Sequence, residues 1–179
     1  ADTDGDGVVD GVELDGGTDP LDPSDFEGDV VAVAPFFFDF ETGSEGLVAD
    51  GGGWERGTPS AGVSVAHSGA NVWGTNLDGN YGNHQRAVLY LPQIDLGALT
   101  EPTLSFRVWS RMSSGDAFSV QLEQDGVWTV IPPATPAYGA TDPLGNVGFG
   151  SLGRYVNYEL ALFDLSAWAG ETVRLRLAL

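Results

Sequence analysis

Leu104-Ser105-Phe106-Arg107-Val108 alternates apolar and polar side chains. Successive side chains of a β-strand point to opposite faces, so this period of two predicts a strand with one buried face. The same period recurs at 118–122 and 173–177, where every second residue is again apolar. A strand-rich fold is therefore expected.

Further short apolar runs, separated by turn residues, follow along residues 30–179. Strands are predicted near 36–40, 63–66, 72–75, 87–91, 103–110, 117–124, 126–131, 155–162 and 172–178. Gln124-Asp125-Gly126 predicts a hairpin turn. The chain contains 26 Gly and 10 Pro, and it has no amphipathic helix of more than about three turns. These features predict an all-β, two-sheet antiparallel sandwich, with a long loop at 132–154.

An acidic loop occupies residues 2–13, at the start of the chain. Oxygen-bearing side chains stand at loop positions 1, 3, 5, 9 and 12: Asp2, Asp4, Asp6, Asp10 and Glu13. Gly7 stands where such a loop turns sharply, and Val8 stands where it offers a backbone carbonyl. Because a hard cation takes several oxygen ligands at short range, this spacing predicts a calcium site. The alternative is an acidic linker without metal.

The charge of the chain is unevenly distributed. The net charge is −19, from 26 acidic and 7 basic residues. Residues 1–29 hold 11 of the acids and no basic residue, so residues 30–179 hold the other 15 acids and all 7 arginines, a net −8. This excess of negative charge argues against nucleic acid and against anionic membrane as partners.

Cysteine is absent, so disulfides are excluded. Neither a signal peptide nor an apolar run of 18 or more residues is recognisable in the sequence, so membrane insertion is not expected. Since calcium is abundant mainly outside cells, the predicted cofactor, Ca²⁺, favours an extracellular or cell-surface location.

The segment DTDGDGVVDGVELDGGTDPLDPSD (2–25) resembles one thrombospondin type 3 repeat in its bacterial form, including the GTDP turn after the loop. The resemblance implies a calcium-ordered linker with little apolar core. It also implies that the acids after the loop bind a neighbouring calcium ion. The candidate ligands of that ion are Asp15, Asp19, Asp22 and Asp25. The expected division is therefore a linker repeat at 1–29 and a β-sandwich at 30–179.

The remainder resembles jelly-roll modules of the MAM type, in particular bacterial ones found behind immune inhibitor A-like metallopeptidases and in the cleaved-adhesin modules of gingipains. The cues are Asp39-Phe40-Glu41, Trp54, Trp73-Gly74-Thr75-Asn76 and Asp164-Leu165-Ser166 with the following Trp and Gly. The resemblance implies an antiparallel jelly roll and a second calcium ion held by Asp39, Glu41 and Asp164. As alternatives, an acid at a strand end faces solvent or caps a turn, and Asp164 caps the turn at Ser166.

Catalytic motifs are not evident. The chain has two histidines and no His-Glu-x-x-His, and Ser64 and Ser68 beside His67 lack a nucleophile-elbow motif. We therefore expect no enzymatic activity. Among the aromatic residues, Trp109 and Tyr138 are candidates for a sugar-stacking platform, and Trp109 shares its alternation phase with exposed-type Arg107. The alternative for these aromatics is core packing.

Together these patterns predict a non-catalytic calcium-binding module of a larger bacterial secreted or cell-surface protein, used for adhesion or targeting. Its expected partners are neighbouring domains or repeats of the parent protein, and a glycan or protein of a cell surface. The alternative function is a carbohydrate-binding module of an extracellular hydrolase.

Overall fold

The computed structural model describes residues 32–33, 37–82, 86–142, 144–153 and 157–179. Within these ranges the chain is all-β, and its one helical element is a 3-10 turn at Ser166–Trp168. The strands, in chain order, are β1 (Ala32–Val33), β2 (Val48–Asp50), β3 (Trp54–Gly57), β4 (Val72–Thr75), β5 (Val88–Tyr90), β6 (Ile94–Asp95), β7 (Thr103–Val108), β8 (Ser119–Gln124), β9 (Val127–Val130), β10 (Ala140–Thr141), β11 (Val147–Gly148), β12 (Glu159–Asp164), β13 (Thr172–Val173) and β14 (Leu175–Ala178).

The largest sheet has five strands in the order β2-β5-β14-β8-β9, and every neighbouring pair is antiparallel. Its central strand is β14, in which Arg176 lies opposite Tyr90 on one side and Gln121 on the other. A second sheet pairs β12 with β7 in antiparallel register over six residues. Smaller sheets are β3–β4, β10–β11 and β1-β6-β13, and in the last of these β1 runs parallel to β6.

One apolar core joins the five-stranded sheet to the β7–β12 pair. Leu122 and Leu175 contribute from the first sheet and Phe163 from the second, and all three are almost completely buried. The Phe163 ring centroid lies 5.8 Å from that of Phe106 and 6.1 Å from that of Phe149. The predicted period of two is confirmed in β7, where the apolar side chains are half-buried and the polar ones are exposed.

The predicted strand at 36–40 is wrong over residues 37–40, which are not in a strand. Phe40 has a φ of 63°, in the left-handed region that an extended strand excludes. Its N–H donates to the Glu45 carboxylate at 3.1 Å, and the Arg56 guanidinium donates to its carbonyl at 2.6 Å. These bonds close a turn where the short apolar run predicted a strand.

The predicted strand at 63–66 is also wrong, because the chain turns there without a strand partner within the described ranges. The Val65 N–H donates to the Val63 carbonyl, which closes a tight turn. Val63 is buried, whereas Val65 is 48% exposed. The Tyr158 hydroxyl donates to the Val65 carbonyl at 2.9 Å, so a side chain occupies a position where a strand would pair.

The segment 132–154 is less irregular than predicted. It contains the β10–β11 hairpin and delivers Phe149 to the core, where a pair of backbone bonds joins it to Phe118. The strand predicted at 155–162 is observed as β12, Glu159–Asp164. The predicted boundary between residues 29 and 30 lies outside the described residues.

Candidate functional sites

The predicted calcium loop lies outside the described residues. This applies to its ligand candidates Asp2, Asp4, Asp6, Val8, Asp10 and Glu13, and to Asp15, Asp19, Asp22 and Asp25 after it. Their assignment as calcium ligands stays a prediction from the spacing.

Glu41 connects the turn at 39–45 to the loop at 69–71 through hydrogen bonds of its carboxylate. Its Oε1 accepts the backbone N–H groups of Ala70 at 3.0 Å and Asn71 at 2.9 Å, and its Oε2 accepts the Asn71 side-chain amide at 3.2 Å. The backbone N–H of Asn71, followed by that of Ala70, holds the pKa of Glu41 below its ordinary value. Gly69 lets the carboxylate approach, since a Cβ there would lie 2.5 Å from Oε1.

The other two acids of the implied second calcium site serve local turns. Asp39 accepts the Glu41 N–H at 2.9 Å, and Asp164 accepts the Ser166 N–H at 2.9 Å. Hydrogen bonds from the side chain and then the backbone of Ser166 hold the pKa of Asp164 below its ordinary value. The alternative given for Asp164, a cap on the turn at Ser166, is thus observed.

These three acids are not brought together as a metal-binding group. Asp164 ends β12 opposite Thr103, whereas Glu41 is bonded to the loop at 69–71. In the part of the chain that the structure describes, no three His, Cys, Asp or Glu side chains converge as a metal site would require. The geometry therefore gives Asp39, Glu41 and Asp164 structural roles, and calcium ligation by them stays a prediction.

Tyr138 is integrated into the core. Its hydroxyl donates to the Ile131 carbonyl at 2.9 Å and accepts the Val120 N–H at 3.0 Å. Its ring meets Phe149 edge-on, with centroids 4.7 Å apart. Burial raises the pKa of the Tyr138 phenol to about 12. Tyr138 thus packs in the core, which was the alternative to sugar stacking. Its part in ligand binding stays a prediction.

Trp109 follows β7 and is half-buried, so it is less exposed than its alternation phase suggests. It lines a surface cleft of about 360 Å³, whose walls are completed by Gly62, Ser110, Arg111, Ser151 and Gly153. Gly62 approaches the six-membered ring of the indole, and Gly153 approaches Cδ1 of the five-membered ring. A Cβ at either position would lie 2.8 Å from the ring.

Two short backbone segments that form walls of this cleft are joined to each other. Ser110 and Leu152 exchange two backbone hydrogen bonds of 2.9 Å each. The Ser110 hydroxyl also donates to the Gly150 carbonyl, and the Ser151 hydroxyl accepts the Met112 N–H. The sequence analysis identified Trp109 but missed the other five lining residues. Ser110 and Arg111 directly follow Trp109, whereas Gly62, Ser151 and Gly153 lie far from it in the chain and only the fold brings them to the cleft.

Comparisons with known proteins give two partial matches. The model of the bacterial TSP3 repeat family matches residues 2–23, and repeats of this type generally bind calcium. Bacillopeptidase F of Bacillus subtilis (strain 168) is 44% identical over 79 residues, which is 41% of this chain and 5% of that protein. The chain thus spans a small part of the length of the peptidase it matches. No solved structure matches.

The match to the repeat family agrees with the resemblance derived from the acidic loop. The resemblance to the MAM type is not confirmed by these comparisons and stays a prediction. None of the helical residues within the described ranges forms a segment with the length and apolarity needed to cross a bilayer.

Proposed function

We propose that this chain is a non-catalytic, calcium-binding module of a larger bacterial protein that acts outside the cell or on its surface. The carrying observation is the loop at 2–13, whose five acids and turn glycine stand at the offsets of a calcium loop. The match to the bacterial TSP3 repeat family over residues 2–23, which include this loop, supports it.

The role of calcium in this proposal is to order the linker. Residues 1–29 carry 11 acidic groups and no basic one, so their carboxylates repel one another unless a cation neutralises them. Glu13, the last ligand of the loop, is long enough to close the site with both carboxylate oxygens. Ordering this segment would fix how the β-rich part is held relative to neighbouring repeats or domains.

The β-rich part is proposed to be a MAM-like jelly-roll module that serves adhesion or targeting. Its all-β architecture and the core shared by two sheets support this assignment. The partial match to a peptidase supports a place in a larger protein, because the 79 matched residues make up only 5% of that protein.

Calorimetric titration of the chelator-treated protein with calcium tests the proposal. We expect saturable binding in the wild type and an affinity at least about tenfold lower in Glu13→Gln, since even indirect supports of a metal ligand contribute that much. Glu27→Gln is the matched control, because it removes an equal charge outside the loop and outside residues 2–23. Equal affinity of the wild type and Glu13→Gln would refute the assignment of the loop.

A second candidate function, sugar binding by a carbohydrate-binding module, is favoured by the cleft at Trp109. The cleft places an indole beside two serine hydroxyls and an arginine, and its volume of about 360 Å³ falls within the usual range of small-molecule sites.

A further inference from the structure

We propose that the cleft at Trp109 binds a uronic acid residue of an acidic polysaccharide, with the indole packing on the sugar ring and Arg111 pairing with the sugar carboxylate. The inference rests on the second candidate function, sugar binding, and it adds the ligand class and the residue that selects it. It does not depend on the calcium loop.

The first observation is that both walls beside the indole require glycine. Gly62 has a φ of +65° and Gly153 has a φ of +78°, a region that other residues rarely adopt. A side chain at Gly153 would also lie 2.4 Å from the Asn157 carbonyl oxygen. The backbone at Gly62 and at Gly153 therefore approaches the Trp109 indole without placing a side chain of its own against the ring.

The second observation is that the walls are held in place before any ligand arrives. The paired bonds between Ser110 and Leu152 join two walls, and the Ser151 hydroxyl bonds both the N–H and the carbonyl of Met112. The third wall, at Gly62, is followed by Val65, to which the Tyr158 hydroxyl donates. A preformed site loses little conformational entropy when a ligand binds.

The third observation concerns charge. Arg111 is exposed at the cleft and makes no hydrogen bond or ion pair within the described ranges. The chain carries 26 acidic residues against seven arginines, so an arginine in a cleft that pairs with none of the acids in the described ranges is suited to an acidic ligand. A guanidinium matches a carboxylate geometrically, because two parallel N–H groups can donate to its two oxygens.

The composition of the cleft favours a sugar over a peptide. Its lining contains one aromatic side chain, two serines, two glycines and an arginine, and no aliphatic side chain. A pyranose offers an apolar C–H face to the indole and hydroxyl groups to the backbone and serine oxygens, whereas an apolar peptide side chain would find a single partner. The carboxylate of a uronic acid would then be the partner of the Arg111 guanidinium.

Titration calorimetry with trigalacturonate and with its methyl ester tests this. The two ligands share the same rings and differ in charge, so we expect the ester to bind at least about tenfold more weakly, because a charge-assisted bidentate pair is lost. Arg111→Gln should weaken trigalacturonate binding by a similar factor. Arg107→Gln, which alters an exposed arginine of β7 outside the cleft, should leave it unchanged.

Several outcomes would overturn the inference. Equal binding of the acid and the ester, or equal binding by Arg111→Gln and wild type, would show that the cleft does not select an acidic sugar. A neutral sugar site would then remain. Triglutamate binding as tightly as trigalacturonate would show that charge alone is recognised. No saturable binding of either sugar at millimolar concentration would refute sugar binding itself, whereas Glu13→Gln judges the calcium proposal separately.

The titrations are repeated without added calcium, since the acidic residues 1–29 and a polyuronate both attract the cation. The inference requires the same dependence on Arg111 in both conditions. Dependence on Arg111 that vanished without calcium would indicate bridging through the metal and would contradict binding in the cleft.

Discussion

Glu41 and Asn71 are joined by two hydrogen bonds across 30 positions of sequence. Asn71 donates its backbone N–H to Oε1 at 2.9 Å and its side-chain amide to Oε2 at 3.2 Å. A carboxylate that accepts such bonds is stabilised in its charged form, which is why the pKa of Glu41 is lowered. The bonds connect the turn at 39–45 with the loop at 69–71, two segments without regular strand structure.

The first prediction concerns the pH dependence of Glu41→Gln. Because the folded-state pKa lies below the ordinary value of 4.5, the stabilisation is present above that value and is lost as the pH falls through the folded-state pKa. Thermal melts should show the variant less stable than wild type at pH 7, with the difference closing under acidic conditions below about pH 4.5.

Glu101→Gln provides the control, since this exposed acid accepts no hydrogen bond within the described ranges. It should melt like the wild type throughout. A Glu41→Gln difference that stayed constant down to pH 3 would show that the carboxylate charge does not carry the effect.

The second prediction concerns Tyr138→Phe. Removing the hydroxyl leaves the Val120 N–H and the Ile131 carbonyl without their partner, and we expect the free energy of unfolding to fall by about 2 kcal/mol. Tyr158→Phe, which removes a single bond to Val65, should cost about half as much. Urea denaturation of the three proteins measures both values, and equal costs would contradict the assignment of two bonds to Tyr138.

The tyrosine also gives an optical test. With its pKa raised to about 12 from an ordinary value of 10.0, Tyr138 contributes stability below about pH 10 that declines as the pH rises towards 12. Titration of tyrosinate absorbance in the folded wild type should show a late-ionising phenol that is missing in Tyr138→Phe. Identical titration curves would count against its burial.

The third prediction compares two glycines of similar conformation. Gly145 and Gly153 have φ values of +88° and +78°, but a Cβ at Gly145 meets no atom within 4 Å, whereas one at Gly153 would lie 2.4 Å from the Asn157 carbonyl oxygen. Gly145→Ala should cost about 1 kcal/mol from backbone strain alone. Gly153→Ala should cost about 2 kcal/mol more, because the clash with backbone adds to the strain.

Chemical denaturation of both glycine variants gives the comparison directly. Equal losses would mean that the chain at Gly153 relaxes away from Asn157, so that this wall of the cleft is not held as the structure indicates.

Sequence alternation was sufficient where a strand buries one face against the core. It predicted β7, β8 and β14, because their apolar side chains recur at every second residue and pack in or against that core. It missed β2 and β3, which are short and flanked by glycine, since pairing with another strand defines them more than burial does. Short apolar runs wrongly predicted strands at 37–40 and 63–66, where side-chain bonds from Arg56 and Tyr158 hold turns.

The sequence by itself determined two properties of this protein: its all-β character and the calcium-loop spacing at 2–13. Both are encoded by residues close together in the chain, as a period of two or as offsets within twelve residues. Only the tertiary structure decided that Tyr138 serves the core and that Trp109 and Arg111 share a cleft with Gly62 and Gly153. The physical reason is that these contacts join segments up to 90 residues apart, and local sequence patterns carry no information about such pairings.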